Sequence, residues 1–179
     1  LNSDLNLNIP NLAKLEPIIG QKLSGEITAK ANTKISNGNL EFLDADISGL
    51  GGVITAKMAD NKINADIKKI KLNELLKLVS MPAILNGNIN GAALITALND
   101  PNKRAGNVSI NINGGIINAD ELNKMIGASL PKNVSFNSDI QAALKGDNAE
   151  LKANLISEIL NLNHLDASYN LAQNTAKAN

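Results

Sequence analysis

Cysteine and tryptophan are absent from the 179 residues. Without cysteine there is no disulfide framework, no thiol nucleophile and no thiolate zinc site. His164 is the single histidine, so no His-based triad or two-histidine metal motif can form within the chain. Aromatics make up only 2% (Phe42, Phe136 and Tyr169), which removes the platforms on which bases or sugars stack. Neither sign of charge is in excess: 17 Lys+Arg balance 17 Asp+Glu, and nothing draws the chain along a nucleic-acid backbone. Long apolar runs are also missing, so no segment reads as a membrane-spanning helix. No signal-peptide pattern opens the chain at Leu1, which therefore reads as a processed chain or an excised segment.

What is present is asparagine, 29 times, against a background that is 44% apolar. Asn is poor in helix interiors and good in turns and at exposed positions, so the composition points to many turns and polar faces. The apolar content is too high for a disordered Asn-rich tract. Alternation with a period of two dominates, as in half-buried strands. Ile27, Ala29, Ala31, Thr33 and Ile35 share one face, then Asn37-Gly38 signals a hairpin. The next strand, from Leu40 to about Ser48, slips phase between Phe42 and Leu43, the mark of a bulge. Ile54, Ala56 and Met58 alternate next, Asp60-Asn61 turns, and Ile63, Ala65 and Ile67 follow. Leu85 to Leu98 reads as a long strand, and Val108, Ile110 and Ile112 as another that turns at Gly114-Gly115. Val134, Phe136, Ser138, Ile140, Ala142 and Leu144 form the cleanest stripe, succeeded by Leu151, Ala153 and Leu155. A last strand lies within Leu160 to Leu171, again with a phase slip.

Three segments carry helical spacing instead: 11–20 with Asn11 as N-cap, 73–80 with Asn73 as cap, and 119–129 with Pro131 beyond it. Each precedes a strand. Leu23-Ser24-Gly25-Glu26-Ile27 is echoed by Leu85-Asn86-Gly87-Asn88-Ile89, and more loosely by Val134-Ser135-Phe136. This spacing describes one elongated repeat domain over 1–179, with units at about 10–70, 71–118 and 119–171 and a polar tail at 172–179.

No constellation for catalysis emerges. Asp44, Asp46, Asp66 and Asp139 sit on polar strand faces or near turns, with no base beside them. His164 lies at a strand irregularity and reads as an edge imidazole. Gly49-Leu50-Gly51-Gly52 lacks dinucleotide-loop spacing and opens a strand, not a helix. Lys68, Lys69 and Lys71 form a small basic patch at a strand end, and two Asn-Val-Ser sequons are chance matches in so Asn-rich a chain. The chain therefore reads as non-enzymatic, with no metal and no cofactor.

The informative feature is the apolar face: Ile27, Ala29, Ala31, Ile54, Ala56, Met58, Ile63, Ala65, Ile67, Val108, Ile110, Ile112, Val134, Phe136, Ile140, Ala142, Leu144, Leu151, Ala153 and Leu155. Two packed sheets fill about 10 Å of core with bulky side chains. Stripes such as Ile27-Ala29-Ala31 fill that space poorly. The fold expected is mostly β: a curled antiparallel-rich sheet forming an open trough, or half-pipe, with two or three short helices. A two-layer β-sandwich with a small-residue core is the alternative, and the residues alone leave the two open.

Several stretches resemble the AsmA-like superfamily, the AsmA/TamB-type bridge-like lipid-transfer proteins of bacterial envelopes. They are 70–76 (Ile-Lys-Leu-Asn-Glu-Leu-Leu), 85–91 (Leu-Asn-Gly-Asn-Ile-Asn-Gly), the segment from Gly106 through Gly114-Gly115 to Asp120, and 165–171. The resemblance runs from about residue 10 to 171, rests on degenerate apolar motifs and transfers no catalytic residue. It implies a periplasmic trough, part of an inner-membrane-anchored protein whose anchor is not in this chain. The apolar stripes would then line a groove for phospholipid acyl chains moving between inner and outer membranes. A further role implied by TamB-type relatives is assistance to outer-membrane protein assembly, through strand edges at Leu5–Ile9 and Leu165–Leu171.

Overall fold

The computed structural model describes residues 1–19, 23–100, 102–127, 129, 134–159 and 161–178, apart from the side chains of Ile18, Ile19, His164, Ala176 and Ala178. Gly20 and Pro131, named above at helix ends, lie outside the described residues, as does the His164 imidazole. The strands are β1 (Asn2–Ile9), β2 (Ile27–Ser36), β3 (Asn39–Gly49), β4 (Gly52–Ala59), β5 (Lys62–Lys71), β6 (Leu85–Asn86), β7 (Asn88–Thr96), β8 (Ala105–Ile117), β9 (Val134–Lys145), β10 (Asn148–Ser157), β11 (Asn161–Asn170) and β12 (Thr175–Ala178). A 3-10 turn, Leu12–Leu15, runs into α1 (Glu16–Ile19); α2 is Leu72–Leu78 and α3 is Ala119–Ile126.

All twelve strands form one open antiparallel sheet in the order β1-β2-β3-β4-β5-β7-β8-β9-β10-β11-β12, with β6 beside the end of β8. Among the described residues there is no second sheet, so the sandwich alternative is corrected. The long strand expected from Leu85 to Leu98 is divided at Gly87 (φ 147), where β6 leaves for β8 and β7 continues along β5. Two strands extend the expected array: β1 at one edge, and β12 within the stretch read as a polar tail.

Local chemistry explains this meander. Asn37-Gly38, Leu50-Gly51 and Asp60-Asn61 all carry positive φ at both central residues, the two-residue turn that matches strand twist. Strand direction alternates, so the connections that carry α1, α2 and α3 fall on the same margin of the sheet as the Leu50-Gly51 turn, and the Asn37-Gly38 and Asp60-Asn61 turns lie on the other. Two corresponding hydrogen bonds stand at the helical margin. Leu12 N donates to the Gly25 carbonyl and Leu72 N to the Gly87 carbonyl, both at 2.9 Å. The Asn11 side chain accepts from Ala13 N, and Asn118 caps α3 by accepting from Glu121 N at 3.3 Å. Asn73 does not cap α2: the N-cap is Lys71, because the buried Leu72 starts the helix directly off β5.

Four bulges punctuate the ladders among the described residues. Glu41 is the extra residue against Lys34-Ile35, one position from the expected slip, and Asn163-His164 stand against Asn154 where the second slip was read. The other two are Lys68-Lys69 opposite Asn90 and Asn113-Gly114 opposite Asn137. Gly114-Gly115 is therefore no turn: β8 runs through it, because a one-residue bulge with Gly114 in the left-handed region (φ 63) keeps Ile117 in pairing with Val134. The main core gathers at this helical margin, where Ile70, Leu72, Ile89, Ile112, Ile117, Val134 and Phe136 are each 9% exposed or less. The Phe136 ring lies over Gly115, where an added Cβ would stand 2.5 Å from two ring carbons, whereas a Cβ at Gly114 meets open space.

Gly115→Val should therefore lose about 1–3 kcal/mol of unfolding free energy through overpacking. Gly114→Asn, which tolerates the left-handed region, should lose no more than about 1 kcal/mol. Urea unfolding of both variants checks the contrast, and equal losses would contradict the bulge.

Candidate functional site

Directly paired residues of an antiparallel sheet point to the same side, so the registers define rows across the strands. One row reads Leu5, Ala31, Ala45, Ala56, Ala65, Ala93, Val108, Ala142, Leu151, Ala167. The next, toward the helices, reads Leu7, Ala29, Ile47, Ile54, Ile67, Gly91, Ile110, Ile140, Ala153, Leu165. On the other side of the alanine row, Leu43, Met58, Ile63, Ile95, Gly106, Leu144, Ala149 and Tyr169 align. Ile27 pairs with Ile9, and Leu155 continues the row of Ile70, Ile89, Ile112 and Ser138. The opposite face is polar: Asn6, Lys30, Asp46, Thr55, Asp66, Ala92, Ser109, Gln141, Lys152 and Asp166 form one of its rows.

The apolar face is the sheltered one. Ala93 is half-buried and Ala92, the preceding residue of β7, is exposed; Ala142 is half-buried and Ala143 is exposed. The side chains are identical; Ala142 stands between Val108 and Leu151, and Ala143 between Asn107 and Glu150. The branched aliphatic neighbours on the apolar side account for that order.

The expected stripe residues therefore share one face but not one environment. Met58, Ile112, Val134 and Phe136 are buried in the protein itself and line no open surface. Ile27, Ala29, Ala31, Ile54, Ala56, Ile63, Ala65, Ile67, Val108, Ile110, Ile140, Ala142, Leu144, Ala153 and Leu155 are half-buried, and Leu151 is exposed. At the sheet's edges the face opens: Leu5 and Leu7 on β1 are 56% and 50% exposed, and Leu165 on β11 is 52% exposed. Sequence reading missed Ala93, Ile95, Leu5 and Leu7 as members of the face. The alternation of β1 and β7 carries them, and only the register adds them to the rows.

The charged residues decorate the other side. Lys34 and Glu41 pair at 2.8 Å, and Lys57 and Asp44 at 3.6 Å. The hydrogen bond from Lys34 holds the Glu41 carboxyl below its ordinary range. Asp46, Asp66 and Asp139 are exposed. Among the described residues no three His, Cys, Asp or Glu gather as a metal site, and no helix is long and apolar enough to cross a membrane. Crevices on the polar side run between turn and strand side chains, such as Asn32, Asn37, Asn39 and Asn61 at the turn margin. The fold and site thus define an open antiparallel sheet with one apolar face that, among the described residues, no second sheet covers. No family model, no curated protein and no solved structure matches the chain.

The half-buried alanines should accept a charge that reaches water, and the core should not. Ala142→Glu is expected to keep cooperative melting at a cost under about 1.5 kcal/mol, and Ala143→Glu to stay within about 0.5 kcal/mol of the parent. Val134→Glu buries an unpaired carboxylate and should abolish cooperative melting. Thermal unfolding followed by circular dichroism reads all three, and collapse of Ala142→Glu would mean the face is closed.

Proposed function

We propose that this chain is a non-enzymatic segment of a periplasmic envelope protein whose apolar face shields phospholipid acyl chains on their way between inner and outer membranes. One observation carries the reading: the apolar rows run unbroken across the sheet and, among the described residues, no second layer covers their middle. A sheet ordinarily buries such a face against another element. Strands about 4.8 Å apart make the alanine row, which crosses ten strands, a strip on the order of 40 Å long. Burying an acyl chain contributes about 0.8 kcal/mol per methylene without any specific polar contact. Small side chains leave room over the strip, and the larger Ile, Leu and Met rows flank it. The resemblance to the AsmA-like superfamily supports the same reading.

A second reading, assistance to outer-membrane protein assembly, draws on the sheet's edge. Among the described residues β1 pairs only with β2, and its sequence from Asn2 to Ile9 has no Lys or Pro to discourage another strand. An extended segment could add there by β-augmentation.

Native mass spectrometry of the purified chain should find phospholipid bound. A photo-crosslinker at Ala65 or Ala142 should capture lipid, and one at Ala143 should not. Ala65→Glu and Ala142→Glu should lose most of the lipid and stay folded. Crosslinks from Leu5 and Leu7 to protein strands, with no lipid on the alanine row, would transfer support to the assembly reading.

A further inference from the structure

Two of the four bulges are the same device. At Lys68-Lys69 the second residue is left-handed (φ 56) and its backbone N–H donates to Asn90 Oδ1 at 3.0 Å. At Asn113-Gly114 the second residue is again left-handed (φ 63), and its N–H donates to Asn137 Oδ1 at 2.8 Å. In both, the asparagine stands on the partner strand directly opposite the extra residue, supplying the acceptor that the interrupted ladder has lost. Both lie just before the helical margin, at corresponding points of β5/β7 and β8/β9.

The extra residue decides which way the margin faces. In an unbroken strand, Ile67 on the apolar side would put Lys69 there too and send Ile70 to the polar side. The bulge reverses this: Lys69 is exposed and Ile70 is buried. Likewise Ile112 is inside, the bulge follows, and Gly115 and Ile117 return inside with Ile116 outside. A one-residue slip would turn every later side chain over. Bulges also bend a strand, and the residues beyond these two, Ile70, Gly115 and Ile117, are deeply buried, in a core that includes Leu72 of α2 and against which Leu122 of α3 packs.

We infer that Asn90 and Asn137 are positioning residues that lock these bulges and so fold the helical margin over the apolar face, setting the width of the groove. The inference deepens the proposed lipid role but concerns shape, so a shape measurement separates the two. The chain has no cysteine, so Met125→Cys on α3 and Lys145→Cys at the far end of β9 take two spin labels cleanly. Asn137→Leu should lengthen the distance between the labels, raise exchange of the Gly114 amide about tenfold and reduce lipid crosslinking. Asn137→Asp keeps the acceptor and should restore the distance and keep exchange within about threefold of the parent. Exchange of the Lys69 amide in Asn90→Leu, against Asn90→Asp, tests the other bulge and decides the matter should Asn137→Leu fail to fold. An unchanged label distance and amide exchange in the Leu variants would overturn the inference, as would failure of both Asp variants to rescue. A lengthened distance in a chain that never binds lipid would leave the inference standing and remove the lipid role.

Discussion

The constraint on which the rest depends is phase. Residues directly opposed across an antiparallel ladder share a face, so a one-sided sheet exists only while every strand keeps its apolar positions in step with its neighbours. Ten strands do so here through Leu5, Ala31, Ala45, Ala56, Ala65, Ala93, Val108, Ala142, Leu151 and Ala167. Where the sequence drifts out of step, an extra residue is inserted and the phase returns. Bulges are thus the means by which an imperfectly alternating chain maintains one continuous face.

From that face follow both stability and exposure. At the helical margin, large side chains and short helices form a conventional core around Phe136 and Val134. Toward the middle the side chains shrink to alanine, and shelter comes from aliphatic neighbours such as Val108 and Leu151 beside Ala142. Filling this region with bulky residues would close it; alanine leaves it open. The polar face carries the compensating solubility, with lysine and aspartate rows whose ion pairs are solvent-exposed and contribute little to stability. The same division gives the molecule an uncovered apolar surface without spreading apolar groups on every side.

Much of this was legible in the residues. Strict alternation in Val134 to Leu144 admitted one reading, and the Asn-Gly and Asp-Asn pairs marked turns because few residues adopt two successive positive φ values. Asn11 could be read as a cap from its place ahead of the helical spacing. Other points were hidden. Gly114-Gly115 has the composition of a turn, and only pairing with Asn137 and the Phe136 ring makes it a bulge. Asn73 looked like a cap until the burial of Leu72 started the helix earlier. Met58, Ile112, Val134 and Phe136 could not be told from groove-lining residues, since periodicity gives the side a residue faces but not what lies above it.

Sequence by itself determined the β-rich class, the existence of one apolar side, its aliphatic and alanine-rich character and the absence of thiol or multi-histidine chemistry. These are local properties: a period of two, a turn propensity, an inventory of functional groups. Only the tertiary structure decided that all the strands join one open sheet and that the apolar rows align across it. It also decided that the helices share one margin and that two asparagines hydrogen-bond the bulges beside them. Those features depend on register and on contacts between residues distant in the chain, and the energy that selects them arises only when the strands meet.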